Sequence, residues 1–216
     1  MNMRKLFDFL RDLQRNNSKE WMDEHRDEYE AVRDDFIAFL NKINEALKAV
    51  DPDYQHTPGK TAIHRINNNL LYHPDKPTYK DHFGGSLDQA KNRSDFYLHI
   101  GVNGSFIAGG FYHPSNPTLK KIRAAIDYDG EKLKEIINDP SFQETFDLLE
   151  EDKLKTSPKG YSQDHRHIAL LRLKNFAVSH SVTQKEVIAE DFKDRVLRVY
   201  EEMLPFRRYL DRAVSV

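Results

Sequence analysis

Apolar residues recur at helical spacing through the first fifty residues of the chain. The first set follows the i, i+3, i+4, i+7 pattern of one helix face and comprises Leu6, Phe9, Leu10 and Leu13. Asn16, Asn17 and Ser18 interrupt it. A second set keeps one apolar stripe and comprises Tyr29, Val32, Phe36, Phe39, Leu40, Ile43 and Leu47. Asp51 and Pro52 end this stripe, so the pattern predicts a short helix, a turn and a long core helix.

The period changes from helical to alternating in the middle of the chain. Residues 61–67 alternate well enough to predict a short strand. Residues 95–102 and 105–112 are rich in aromatic and β-branched residues, which predicts a β-hairpin. Asn103 and Gly104 join the two segments and are the pair preferred in a two-residue type I′ turn.

Such a turn would fix the register, so that the numbers of paired residues sum to 207. One side of the hairpin then carries Phe96, Leu98 and Ile107 and is the predicted core face. The other side carries Tyr97 and His99 beside small residues. We interpret this second side either as a groove for a ligand or as the seat of a packed helix, since glycine in strands often marks a close approach of backbone.

Helical patterning resumes after the hairpin. A helix should begin at Asn116, with Pro117 at the favoured first position, and should end at Asp129 and Gly130. Residues 173–178 could form one more strand. Further signals are a start at Asp139 and Pro140, a cap at Asp164, a capping box at Thr183 and Glu186, and a kink or break at Pro205.

These elements predict an α+β fold, with an antiparallel sheet built on the central hairpin and covered by helices from both ends of the chain. The 216 residues show no internal repeat or linker, so we expect one domain over residues 1–216. No stretch has the apolar core of a signal peptide or the length of a membrane span. We therefore expect a soluble, cytoplasmic protein without a membrane partner.

The composition excludes several chemistries. There are no cysteines, so disulfides, thiolate catalysis and cysteine metal sites are absent. His165 and His167 lie two residues apart and would point in different directions on a helix, which does not favour joint chelation. We expect no metal site and no cofactor. The formal charge of -2 gives no overall field toward nucleic acid or membranes.

Positive charge is nevertheless concentrated in one segment. Residues 1–59 carry 13 acids and 9 bases, whereas residues 60–93 carry 6 bases and 3 acids. Arg65, Lys76 and Lys80 could converge there on a phosphate or carboxylate, because guanidinium forks and ammonium groups match such anions. The alternative is that these bases are solvated, with Arg65 pairing an acid of the helical half to anchor the loop.

Other side chains near these bases could line the same pocket. Tyr79 could supply a stacking face or a hydroxyl donor, and Tyr97 would lie on the polar side of the hairpin. His82 and His99 are the best candidates for acid–base work, since an unperturbed imidazole titrates near pH 6.5. Neither has an identifiable partner in the sequence, and no elbow motif supports Ser86 or Ser105 as a nucleophile.

Four segments spread over nearly the whole chain are informative as a set, namely FLRDLQRNNSKEWMDEHRDEYE, DKPTYK, SDFYLHIGVNGSFIAGGFY and DHRHIALLRLKNF. Together they resemble a bacterial and fungal family catalogued as domain of unknown function 2461. The resemblance implies a single α+β domain of about this size. It brings no cofactor or catalytic residue.

The chain resembles a divergent member of that family. Positions that match the family's middle motif are Arg65, Tyr72, Asp75, Lys76, Tyr79 and Lys80. Asn69 stands where the family has an acid, and Leu71 where it has a second arginine. The motif's proline lies one place earlier, at Pro77. If the missing charges formed an anion clamp in relatives, this chain has lost part of it.

The sequence thus leads to two functional hypotheses. In the preferred one, a small anionic ligand binds beside the hairpin, possibly with catalysis; the predicted site comprises Arg65, Lys76, Tyr79, Lys80, His82, Tyr97 and His99. In the alternative, the same basic segment docks a protein or nucleic-acid partner without catalysis. Nucleic acid is the weaker partner, since six bases offset by three acids give little net charge.

Overall fold

A computed structural model describes residues 3–215 of the chain. Its helices are α1 (Met3–Arg15), α2 (Lys19–Glu24), α3 (Arg26–Val50), α4 (Gly59–Ala62), α5 (Asn116–Ile137), α6 (Pro140–Thr145), α7 (Ile168–Leu171), α8 (Gln184–Ile188) and α9 (Phe192–Ser215). Its strands are β1 (His82–Leu87), β2 (Asp95–Gly101), β3 (Ser105–Phe111), β4 (Asp147–Leu148) and β5 (Phe176–Val182).

The strands form one five-stranded antiparallel sheet in the order β1-β2-β3-β5-β4. With helices at both ends of the chain, this arrangement confirms the predicted α+β class. No helix within residues 3–215 is long and apolar enough to cross a membrane.

Contacts within the chain define two compact units. The first contains the chain up to Leu87 together with Tyr97–Ile107 and Ser181–Leu197. The second contains Asp88–Phe96, Ala108–His180 and the chain from Arg198 onward. The single domain expected from the sequence stays a prediction.

In the first unit, helix α3 covers one face of β1. The Phe83 ring lies 5.6 Å from that of Phe36 and 6.3 Å from that of Tyr29, between centroids. A Cβ on Gly85 would lie 2.8 Å from the Leu40 side chain, so this glycine lets the helix approach the strand. Helix α1 adds Phe9, whose ring lies 6.0 Å from that of Tyr29. One face of β1 is thus sealed by apolar and aromatic packing.

The hairpin forms as strands β2 and β3, but its predicted turn is wrong. Three residues, not two, separate the strands, and Asn103 lacks the positive φ that a type I′ turn requires. Ser105 instead closes the end of the hairpin: its Oγ accepts from the Gly101 N–H at 3.1 Å and donates to the Gly101 carbonyl at 3.3 Å. The predicted register, in which the numbers of paired residues sum to 207, therefore no longer has the type I′ turn as its basis.

The assignment of the two hairpin faces does not depend on that turn. Leu98, Ile100 and Ile107 are fully buried, whereas Tyr97 and His99 remain partly exposed. The core face is thus the one that the alternating pattern predicted.

The helices follow the sequence signals closely, with local corrections. The Ser18 side chain caps α2 and the Thr183–Glu186 capping box starts α8. Helix α5 does not stop at Asp129 but continues after a single non-helical residue there, with φ -142° and ψ 54°. Helix α9 likewise runs through Pro205 without dividing.

Two predicted strands are displaced. Residues 59–62 form the helical turn α4, so the strand expected at 61–67 is reduced to two isolated bridges. Ile63 pairs there with Gly85, and Asn67 pairs with Tyr79. Strand β5 begins three residues later than the predicted 173–178, at Phe176.

The second unit contains a buried cluster of charges around Asp88, whose side chain is fully buried. It accepts hydrogen bonds from Arg207 Nη2 at 2.8 Å and from the Tyr200 hydroxyl at 3.0 Å. Arg93 Nε lies 3.0 Å from its other oxygen. Arg207 is itself only 1% exposed and also donates to the Ser94 carbonyl at 2.6 Å. Each buried charge is thus matched by an opposite charge.

Candidate functional site

The candidate site lies on the face of β1 that helix α3 leaves uncovered. Side chains alternate along a strand, so Phe83 and Gly85 point toward α3 while His82, Gly84 and Ser86 point to the opposite face. Tyr97 and His99 of β2 contact this second set. One face of the sheet in the first unit therefore carries polar and aromatic groups in place of a core.

Gly84 gives this face its shape. A Cβ at this position would overlap the Tyr97 hydroxyl and lie 3.1 Å from two carbons of the Tyr97 ring. Because glycine has no side chain, the Tyr97 ring lies across β1 and reaches His64, with 5.3 Å between the ring centroids. The Tyr97 hydroxyl is 3.3 Å from Nδ1 of His99.

His99 is the middle ring of a stack of three rings. The His82 and His99 rings are stacked at 3.9 Å between centroids, and Phe106 stacks on the other side of His99 at 4.4 Å. Asp81 Oδ1 lies 3.2 Å from His82 Nδ1, and its second oxygen accepts from the Asn103 amide. Asp81 thereby ties His82 to the turn of the hairpin.

The electrostatics of this stack keep its imidazoles neutral. Burial lowers the pKa of His99 to about 3, helped by the neighbouring His82. Burial also lowers the pKa of His82, against the opposing pull of Asp81. The pKa of Tyr97 rises to about 12 for the same reason. At neutral pH, an un-ionised Tyr97 hydroxyl therefore lies beside the uncharged imidazole of His99.

His64 and Ser86 form a second polar pair on the same face. The bridge between Ile63 and Gly85 lays the chain beside β1, and the His64 N–H donates to the Gly84 carbonyl at 2.8 Å. This backbone pairing brings His64 Nε2 within 2.9 Å of Ser86 Oγ. Burial lowers the pKa of His64, with further contributions from the charge of Lys80 and from His82.

Lys80 links these groups to the basic segment. Its Nζ donates to the Arg65 carbonyl at 2.7 Å, which fixes the ammonium group in a partly buried position. Burial lowers the pKa of Lys80, and the charges of Arg65 and Lys76 lower it further. Within residues 3–215, no carboxylate lies within 4.0 Å of the charged nitrogens of these three side chains.

The acid partner that would anchor Arg65 to the helical half is therefore missing from the described part of the chain. The predicted site residues are otherwise only partly assembled. His82, Tyr97 and His99 come together in ring contacts, and Lys80 acts electrostatically on His82. Arg65 and Lys76 are exposed; the charges of both act on Lys80, and the charge of Lys76 also acts on His82.

Tyr79 faces the other way. It is 5% exposed, and the Asn17 side chain binds its backbone N–H at 2.9 Å and its carbonyl at 3.0 Å. Its ring therefore offers no stacking face at the surface. The residue serves to hold the basic segment against the first helices.

Four residues of the site were not predicted from the sequence, namely His64, Asp81, Gly84 and Phe106. Strand β1 was not predicted, because two adjacent glycines hide its alternation. The signal that could have revealed the site is the alternation of His82, Gly84 and Ser86 just before the hairpin. That pattern is typical of a strand with one polar face.

The family comparison agrees with the resemblance drawn from the sequence. Neither the curated proteins nor the solved structures contain a match to this chain. A family model described as conserved hypothetical protein (DUF2461) matches residues 5–209, nearly the whole chain, including every residue of the site. The protein is a member of the DUF2461 family.

Proposed function

We propose that the surface around Lys80 binds a small anionic ligand that carries a phosphate or carboxylate group. The observation that carries this proposal is the grouping of three cationic side chains without an acid. Burial lowers the pKa of Lys80, the charges of Arg65 and Lys76 lower it further, and no described carboxylate within 4.0 Å of these side chains offsets them.

The physical argument concerns the cost of that grouping. Burial and neighbouring positive charges both disfavour the ammonium form of Lys80. An anion placed among the three side chains would reverse the second effect, since opposite charges within about 4–6 Å favour the charged form. The free protein therefore holds an unfavourable electrostatic arrangement that a bound anion relieves.

The donors available suit a phosphate or carboxylate. Lysine has three N–H donors, and Lys80 uses one of them on the Arg65 carbonyl. The Arg65 guanidinium is exposed and offers a planar fork that matches two oxygens of an anion. The neutral rings of His64 and Tyr97 add polar and aromatic surface beside the cations. The ligand would thus bind through its anionic group, with its remainder toward the rings.

A thermal-shift assay at constant ionic strength tests this function. Inorganic phosphate, pyrophosphate, citrate and adenosine monophosphate are compared, with sodium chloride adjusted so that general screening is equal. A ligand at 100 times its Kd stabilises the native state by about 2.7 kcal/mol and so raises the Tm. Lys80→Ala and Arg65→Ala should abolish the shift.

The matched control is Lys48→Ala, at an exposed position of helix α3. This variant should keep the full ligand-induced shift. The proposal is rejected if no anion raises the Tm of the wild-type protein, or if Lys80→Ala and Arg65→Ala respond like Lys48→Ala.

A second function is favoured by a different observation in the same segment. Leu71 and Tyr72 are 85% and 73% exposed, next to the basic residues. Two adjacent exposed apolar side chains beside cations would suit docking of an acidic protein or a single-stranded nucleic acid. This function predicts binding of an acidic peptide or a short oligonucleotide that is lost in the double variant Leu71→Ser, Tyr72→Ser, while small anions produce no Tm shift.

A further inference from the structure

The Ser86–His64 pair has the geometry of a nucleophile and its base. The distance of 2.9 Å between Ser86 Oγ and His64 Nε2 is within the hydrogen-bond reach that such pairs require. His64 is the hydrogen-bond partner of the Ser86 side chain within residues 3–215. The Ser86 hydroxyl donates to the imidazole in the His64 tautomer that leaves Nε2 unprotonated, which is the tautomer that a general base requires.

His64 is also held in position and in the right protonation state. Its backbone N–H is fixed by the Gly84 carbonyl, and its ring stacks on Tyr97 at an interplanar angle of 29°. Its pKa is lowered from 6.5, so the imidazole is unprotonated at neutral pH and able to accept a proton. Stacking on Tyr97 restrains the orientation of the imidazole plane.

Lys80 is the cation beside this pair, since its Nζ donates at 2.7 Å to the carbonyl of Arg65, the residue that follows His64. Its positive charge acts on His64, which places it in the electrostatic neighbourhood of the pair. A cation near a nucleophile stabilises the negative oxygen that forms when a carbonyl is attacked. The charge of Lys80 also disfavours protonation of His64 in the free protein. This repulsion weakens once the attack on the carbonyl has formed a negative oxygen that offsets the charge of Lys80.

We propose that Ser86 is the nucleophile and His64 the general base of an esterase-type acyl transfer. The inference rests on the proposed function for its substrate class, an ester that carries an anionic group bound by Lys80 and Arg65.

The step is balanced without any cofactor. Ser86 Oγ attacks the ester carbonyl carbon while its proton passes to His64 Nε2 and the carbonyl electron pair moves onto oxygen. Collapse of the oxyanion breaks the ester C–O bond, and His64 returns the proton to the departing alcohol. Water then attacks the acyl-serine with His64 as base, which releases the acid and restores the Ser86 hydroxyl.

Ser105 provides the contrast within the same unit. It is similarly buried, at 6% exposure against 5% for Ser86, but its Oγ is engaged by the backbone of Gly101. A serine without a base keeps the low reactivity of an ordinary hydroxyl. The difference between the two serines is therefore the measurable consequence of the proposal.

The test uses a neutral fluorophosphonate probe on the intact protein, with the labelled residue located by mass spectrometry. We expect label on Ser86, none in Ser86→Ala, and unchanged labelling in Ser105→Ala. His64→Gln should slow labelling by about 100-fold or more, the usual contribution of a general base. The wild-type rate should rise with pH to a plateau, with a midpoint below 6.5.

Circular dichroism confirms that each variant is folded before its rate is compared. Absence of label on Ser86, equal labelling of Ser105, or an unchanged rate in His64→Gln overturns the proposal. Because Ser86 is not among the side chains proposed to hold the anion, Ser86→Ala should keep the Tm shift with anions while it loses the labelling. Failure of anion binding and failure of Ser86 catalysis are thereby distinguished.

For the substrate class, hydrolysis of p-nitrophenyl succinate is compared with that of p-nitrophenyl acetate. The wild-type protein should prefer the anionic ester in kcat/KM, and Lys80→Ala should lose that preference. If wild type and Lys80→Ala show the same ratio of kcat/KM for the two esters, the assignment of an anionic ester is overturned. The labelling result is not affected by that outcome.

Discussion

Acidification should destabilise this protein through His99, and the amount can be worked out. The folded-state pKa of His99 is about 3, whereas an unfolded imidazole titrates at 6.5. Between these two values the unfolded chain binds the proton and the folded protein does not. Stability is therefore fully present above pH 6.5 and is lost as the pH falls below it.

For His99 alone, lowering the pH from 8 to 5.5 should cost about 1.4 kcal/mol of unfolding free energy. The value depends little on the folded pKa, because any pKa well below 5.5 leaves the folded imidazole neutral at that pH. His64 and His82 also have lowered pKa values, so their contributions have the same sign. The wild-type protein should thus lose more than His99 accounts for by itself.

Urea denaturation at pH 8 and pH 5.5, followed by circular dichroism, measures the loss. His99→Asn keeps an acceptor near the Tyr97 hydroxyl but cannot take up a proton in this pH range. Its pH-dependent loss should be smaller than that of the wild type by about 1.4 kcal/mol. His56→Asn, at a side chain that is 40% exposed, is the matched control for removal of an imidazole. Equal losses in wild type and His99→Asn would refute the reasoning.

Two further predictions concern packing. Asp88→Asn should reduce the unfolding free energy by about 3–5 kcal/mol, because Arg207 stays buried without its ion-pair partner. Asp8→Asn, which removes an exposed carboxylate, should cost less than about 1 kcal/mol. Equal losses for the two variants in urea denaturation would contradict the argument. Gly84→Ala should reduce the unfolding free energy by about 1–3 kcal/mol, because the new Cβ displaces the Tyr97 ring. An unchanged near-ultraviolet circular dichroism spectrum together with an unchanged midpoint of urea denaturation would argue against this packing.

The helical part of the fold was predictable because its signals are local. Apolar stripes and the capping residues Ser18 and Thr183 determine where helices run and begin. Stop signals were less reliable. Gly130 did not end α5, since a Cβ at that position would overlap the His167 ring and the glycine is used for close packing. Tertiary contact thus outweighed local preference.

The candidate site was predictable only where it is continuous in sequence. His82, Tyr97 and His99 were identified because they lie on or next to the hairpin. The pairing of His64 with Ser86 joins residues 22 positions apart and depends on the pairing of Ile63 with Gly85. Ile63 lies outside any regular strand, so no periodic pattern in the sequence predicts this pairing. The burial of Tyr79 depends in the same way on Asn17, 62 residues away.

The central claim is that the cations Arg65, Lys76 and Lys80 form an anion-binding group that no carboxylate neutralises. The pKa of Lys80 tests this claim most directly. Proton–carbon NMR of the lysine side chains, with Lys80→Arg used to assign the signal, gives this pKa with and without pyrophosphate. We predict a value below the ordinary 10.5 in the free protein and a rise on saturation with the anion. An ordinary pKa for Lys80 that does not change with pyrophosphate would contradict the account.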